Sequence, residues 1–436
     1  MASSVRVKEA VVVTPSEPTP TGVLLLSALD SQLFLRFTVE YLLVYRPGPG
    51  LNQATTAACL KAAVAKALVP YYPLAGRVRA RADSPGLEVL CRAQGAVFIE
   101  AHSDRYTLND FERAPKTVTH WRKLLSINVP GVLSGSPPLV VQLTWLADGA
   151  AAVGIGINHC ICDGIGGAEF LNHVSDLVSG KLAVPKPRPI WDRHLLNPPP
   201  GRTNRRANTA LHPEFNRVPD LCGFMNRVTS SLRPTCIVFD KRRINELKSA
   251  ARSTSRPGDS PPTSFEVLAA HVWRSWARAM GFPPSQTLKL LFSINVRNRV
   301  KPGLPDGYYG NAFVLGCAQS SARELGEKGV GFGSGLVKTA KEKVDGEHVR
   351  RVTELVSESR ASPDSVGVLI LSQWSRLGLE NVEIGMGKPL HVGPICCDRY
   401  CLFLPVKGER DSVKVTVAVP AAAVDSYHRF LRESLS

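Results

Sequence analysis

Asn158-His159-Cys160-Ile161-Cys162-Asp163-Gly164 is the stretch from which this chain is best read. It sets an imidazole four residues ahead of a carboxylate, after an apolar run and before a helical pattern. Upstream, LVVQLTWLA at 139–147 puts Val141, Leu143 and Trp145 on one face of a period-2 strand. Asp148-Gly149 is a hairpin turn signal, because glycine tolerates positive φ. The return strand, 150–157, then delivers His159 just beyond its last apolar residue. Gly154 and Gly156 leave that strand without side chains on one face, which predicts close approach of another backbone or of a ligand. Beyond Gly164, Ala168, Leu171, Val174 and Val178 recur at helical spacing, and Gly180 stands where a C-terminal cap belongs. The histidine is therefore expected on a strand-to-helix loop, a common location for catalytic groups.

The His–Asp spacing alone decides little in a chain with ten histidines. Asp163 also suits the N-cap of the following helix. A metal site built from His159, Cys160, Cys162 and Asp163 lacks the usual spacing of paired zinc cysteines, so no metal is expected here. A histidine whose ordinary pKa is near 6.5 is suited to taking a proton from a hydroxyl or amine. Cys160 and Cys162, one and three residues after it, leave a covalent acyl-cysteine route to be considered.

At 436 residues the chain exceeds the size at which one core keeps growing, so two domains are expected. The Pro- and Arg-rich stretch 184–220 has no periodicity and reads as a crossover loop. It gives a division into 1–183, a linker over 184–234, and 235–436. A strand is expected over 235–239. A helix is expected over 264–279, opened by a capping box from Thr263 to Glu266, with Phe265, Leu268, Val272 and Trp276 on its core face. An alternating strand is expected over 413–419 and a last helix over 422–433. GEKGVGFGSG at 326–335 fits neither nucleotide-binding glycine pattern and reads as a flexible loop. Strands and helices mix without a regular βαβ repeat, which favours a mixed α/β, or α+β, fold.

Ten scattered cysteines read as reduced thiols. The first residues lack the apolar core of a signal peptide, and no apolar run approaches the ~20 residues of a membrane span. A soluble, cytoplasmic protein is expected. The net charge of +16 comes from dispersed clusters without interleaved aromatics. That argues against nucleic acid and for steering of a small polyanionic substrate.

Five separated segments together resemble the plant BAHD acyltransferases, which move acyl groups from coenzyme A thioesters to alcohols or amines. HCICDG resembles their HxxxDG motif, and YYPLAGR at 71–77 their first-domain junction. NVRNR at 295–299, followed by Gly307-Tyr308-Tyr309-Gly310-Asn311, is similar to their DGRxR and YFGN pair. Residues 371–377 and NVEIGMGKP at 381–389 resemble SWxRL and DFGWGKP. Order and spacing agree over essentially the whole chain. One departure stands out: Ile384 and Met386 occupy the Phe and Trp positions of the last segment, while Gly385 and Gly387 remain.

The resemblance implies two similar domains of chloramphenicol-acetyltransferase-like fold, each a mixed sheet with helices, enclosing a channel at their interface. It implies His159 as general base, Trp374 as oxyanion donor with the Ser372 hydroxyl nearby, and Lys248 on the coenzyme A phosphates. Asp163, grouped with the catalytic residues, would be held by Arg297, or alternatively by Arg299. Gly385 and Gly387 would form a structural turn. Acyl-CoA is then a co-substrate and no cofactor is bound permanently. The enzyme is expected to be a monomer acting on a small-molecule alcohol. An amine acceptor, or a catalytically weak regulatory role, are the alternatives. Residues 15–30 resemble members acting on hydroxylated aliphatic or phenylpropanoid compounds. No arginine near Trp374 suggests itself except Arg376, part of the general SWxRL pattern, so a neutral acceptor with an aromatic or medium-chain acyl donor is expected.

Overall fold

A computed structural model describes residues 4–48, 51–126, 133–181, 184–198, 212–223, 231–253, 260–359 and 361–433. The first half contains strands β1 (Arg6–Val13), β2 (Gly22–Leu25), β3 (Thr38–Tyr45), β4 (Arg77–Ala80), β5 (Leu87–Cys91), β6 (Ala96–His102), β7 (Leu139–Trp145) and β8 (Ala151–Asn158), with helices α1 (Gln53–Ala67) and α2 (Gly164–Val178). The second half contributes β9 (Leu232–Phe239), α3 (Lys241–Arg252), α4 (Ser264–Met280), β10 (Thr287–Asn295) and β11 (Phe313–Ser321). It continues with α5 (Ala322–Glu327), α6 (Val330–Glu342), α7 (Gly346–Glu358), β12 (Val368–Gln373), β13 (His391–Pro394), β14 (Cys401–Val406), β15 (Glu409–Pro420) and α8 (Val424–Arg432).

Two six-stranded mixed sheets form the scaffold, in the orders β1-β6-β7-β8-β3-β13 and β11-β10-β12-β14-β15-β9. The mixed α/β class is therefore the one expected. The sheets do not follow the two halves of the chain strictly. β13 crosses over to pair antiparallel with β3, His391 opposite Val44 and Pro394 opposite Tyr41.

The hairpin that carries the key loop forms as read, with Gly149 at φ +79°. Every residue of β7 and β8 is buried, on both faces. Val141, Leu143, Val153 and Ile155 face the α1–α2 layer. Val140 and Ala152 face a second cluster containing Trp121 and Leu124. That second layer explains Gly154: a Cβ there would lie 2.1 Å from the Leu124 carbonyl oxygen, so the close neighbour is backbone. α2 starts at Gly164 and ends with Gly180 at φ +65°. The Thr263–Glu266 capping box opens α4.

The glycine-rich stretch 326–335 is not a loop. It spans the end of α5 and the first turns of α6. The low helix propensity of glycine is overridden by packing, since a Cβ on Gly333 would come within 3.0 Å of the Ala270 Cβ on α4. The crossover stretch also does more than connect, because it contributes a short 3-10 turn, Arg193–Leu196, with Arg193 and Leu196 buried.

Candidate active site

β8 ends at Asn158, and its side chain accepts from the Cys160 N–H at 3.0 Å, turning the chain sharply. His159 is then held through its own backbone. Its N–H donates to the Phe37 carbonyl at 3.0 Å, and its carbonyl accepts from Asn311 Nδ2 at 2.7 Å. The imidazole sits among aromatic rings, with centroids 5.2 Å from Phe37 and 6.0 Å from Phe313. Nδ1 is enclosed, with no hydrogen-bond partner among the described residues, which leaves Nε2 as the nitrogen to meet a substrate. Burial pushes the imidazole below the ordinary histidine pKa; its own backbone, the Asn311 side chain and the Asp163 and Asp30 charges only partly offset it. At neutral pH the ring is therefore an unprotonated base.

Asp163 is committed elsewhere. Oδ1 accepts from the Gly166 N–H at 2.9 Å, capping α2. Arg297 grips both carboxylate oxygens, at 2.8 and 3.1 Å, and the Ala312 N–H adds a bond at 3.2 Å. Among the described residues it makes no hydrogen bond to the imidazole. Asp163 is therefore both helix cap and ion-pair partner. Arg297 also donates to the Tyr308 and Gly310 carbonyls, tying the 295–299 turn to the 308–311 turn. Arg299 turns away and donates to the Lys341 carbonyl at 2.9 Å. α2 is pressed so closely here that a Cβ on Gly166 would lie 2.1 Å from the Tyr309 carbonyl oxygen.

A second ion pair braces the same loop from its other side. Asp30 and Arg193 side chains are 0% and 1% exposed, with Nη1 3.1 Å from both carboxylate oxygens. Asp30 also accepts from the Ser27 hydroxyl at 2.7 Å and from Asn311 through backbone and side chain. Arg193 donates to the Ile161 carbonyl at 2.8 Å and lies 4.1 Å over the Trp191 ring. Sequence reading missed both members. Asn311 lay inside a motif-like segment, whereas Asp30 and Arg193 fell in stretches to which no site role was given. Asp30 ends an apolar run, and Arg193 sits in a stretch whose composition reads as linker.

The remaining predicted residues lie on other elements of the fold. Trp374 stacks on Tyr41 at 4.9 Å with its backbone N–H on the Phe403 carbonyl, and no described residue accepts from its indole N–H. Ser372 lies on β12 opposite Leu402. Lys248 lines a cleft of about 140 Å³ together with Lys241, Ser264, Ser375, Arg376 and Arg410. Ser372 is not part of that lining; its neighbour Gln373 is. Gly385 and Gly387 have φ of +84° and +70° with open space around them, so backbone conformation is what requires glycine. Ile384 and Met386 are buried beneath α2, and Ser175 on that helix accepts from the Glu383 N–H at 2.7 Å. Cys160 and Cys162 are buried, and burial raises both thiols, Cys160 to about 12. Neutral thiols of that kind are poor nucleophiles, which disfavours an acyl-cysteine route. A cation that sequence reading did not find stands nearby: the exposed Arg399 guanidinium lies 4.7 Å over Phe37.

Residues 3–430 match the model of a family described as Transferase family. The chain belongs to these BAHD acyltransferases. Among BAHD relatives, the omega-hydroxypalmitate O-feruloyl transferase of Arabidopsis thaliana is 32% identical over 431 residues, covering 96% of this chain and 91% of the relative. The taxadien-5-alpha-ol O-acetyltransferase of Taxus chinensis is 30% identical over 435 residues, covering 97% and 95%. The solved structure of vinorine synthase shares the BAHD fold with a TM-score of 0.72 at 22% identity, over 97% of this chain and 96% of that one.

Proposed function

We propose that this acyltransferase moves an acyl group from an acyl-CoA thioester to the hydroxyl of a small-molecule acceptor, with His159 as general base. The observation that carries the reading is the state of His159: an imidazole kept unprotonated by burial, fixed through its backbone on two sides, with one ring nitrogen enclosed. The free nitrogen accepts the acceptor's proton as its oxygen attacks the thioester carbon. A tetrahedral oxyanion forms and collapses, and the coenzyme A thiolate leaves, taking the proton from the imidazolium. The Trp374 indole N–H, having no acceptor among the described residues, is available to the oxyanion. Lys248 has no ion pair among the described residues, and its cleft gathers the basic side chains that the coenzyme A phosphates require.

The rings of Phe37 and Phe313 beside His159 favour an apolar acceptor body. Arg399 is exposed, so it stays hydrated and imposes no charge requirement on the acceptor. We propose a neutral aliphatic or aromatic alcohol, an aromatic or medium-chain acyl donor, and a monomer working in the cytoplasm. No described helix is long and apolar enough to cross a membrane.

His159→Ala should lower turnover by at least about two orders of magnitude with the melting temperature nearly unchanged; retention of most activity defeats the mechanism. Thiol release measured with a long-chain alcohol, quinate and a polyamine side by side tests the acceptor. Preference for the acid would move recognition to Arg399, and preference for the amine would replace O-acylation by N-acylation.

A further inference from the structure

Far along the chain from His159, the molecule buries a second cluster of titratable side chains. The crossover stretch contributes His212-Pro213-Glu214, where His212 and Glu214 are 3% and 2% exposed. His348, in the first turn of α7, faces them. His212 Nδ1 is 3.0 Å from Glu214 Oε1, His348 Nε2 is 3.9 Å from the same oxygen, and the two imidazole centroids are 5.2 Å apart. One donor atom from each residue lies within 4.8 Å of the others.

Hydrogen bonding accounts for only half of this cluster. The His212–Glu214 contact is an ordinary bond, but 3.9 Å is too long for one from His348. Nε2 of His348 is enclosed with no partner among the described residues, a condition buried polar atoms rarely tolerate. A shared ligand would satisfy it.

We propose that His212, Glu214 and His348 form a metal site for a first-row divalent ion, zinc above all, that staples the crossover segment to α7. Two imidazoles and a carboxylate, with a solvent molecule completing the tetrahedron, are a zinc donor set. Metal–ligand bonds of about 2.1 Å place tetrahedral donors roughly 3.4 Å apart, so each side chain needs only a small adjustment. The surroundings narrow the choice of ion. Lys289 donates to the Pro213 carbonyl at 2.7 Å and feels the Glu214 charge; Arg351 and Asp345 act on His348. With Lys289 and Arg351 close by, a hard ion relying on oxygen ligands is disfavoured, and affinity must come from imidazole nitrogen. No residue of this cluster belongs to the His159 site.

The test uses untagged full-length protein, stripped with a chelator and titrated with cobalt(II) as a spectroscopic stand-in for zinc. The expected result is one equivalent of cobalt with visible ligand-field bands, displaced by zinc, and a melting temperature that rises with zinc. His212→Ala, His348→Ala and the near-isosteric Glu214→Gln should each weaken cobalt binding at least tenfold, while His159→Ala leaves it unchanged. Absence of the bands in the wild-type chain, or bands that survive all three substitutions, overturns the proposal. Should a variant fail to fold, the wild-type titration still decides.

Discussion

His159 and Asp163 stand four residues apart, yet their substitution should produce different failures. Removing the imidazole takes away a base that no structural bond depends on. Removing the Asp163 carboxylate leaves the largely buried Arg297 guanidinium unpaired and uncaps α2. Breaking a buried pair from one side costs about 3–5 kcal/mol, so Asp163→Ala should lose stability and activity together. Urea denaturation and thiol-release assays on the same preparation check this. Full stability with lost activity would return Asp163 to the chemistry. The Asp163 contacts also mark what a sequence discloses at this scale. His159, Asp163 and Arg297 lie in segments with local pattern. The Asp30–Arg193 pair joins positions 163 residues apart with no local periodicity, so nothing short of the fold brings them together.

Hydrophobic period and cap chemistry located the elements that carry their signals locally, and left much of the second half unassigned. The β7–β8 hairpin, α2 and α4 all carry their signals locally, in turn glycines and side-chain caps. The reading failed where tertiary contact outweighed propensity. Glycines over 326–335 look like a flexible loop, but α6 forms through them and Gly333 packs tightly against α4. Gly333→Val tests that account: at 3.0 Å from the Ala270 Cβ even the first added carbon is crowded, and a branched side chain should cost about 1–3 kcal/mol by overpacking. An unchanged denaturation midpoint would mean that α6 can move aside freely. Full burial of β7 was likewise hidden, because alternation reports one covered face and cannot announce that residues around Trp121 and Leu124 cover the other.

Across the whole molecule, buried histidines set a pH limit on stability. His271 on α4 is lowered by burial to about 4, and burial also holds His391 on β13 well below the ordinary value. Unfolded, both titrate near 6.5, so below that pH the unfolded chain binds more protons and the folded state loses ground. The contribution is complete above pH ~6.5 and falls away as pH drops toward 4, about 3 kcal/mol for a shift of the His271 size. Chemical denaturation at pH 7 and pH 5 should show the difference, and equal stabilities would contradict it. The position of His391 has a further consequence, for synthesis. β3 reads TVEYLLVY, an apolar strand whose outer edge is covered by β13 and the Leu390 N–H just before it. A nascent chain leaving the ribosome carries that edge bare until β13, far downstream of β3, has been translated, and bare edges of this composition invite pairing with other chains. Fragments truncated before residue 391 should therefore aggregate, and chaperone engagement during translation should persist until β13 has emerged.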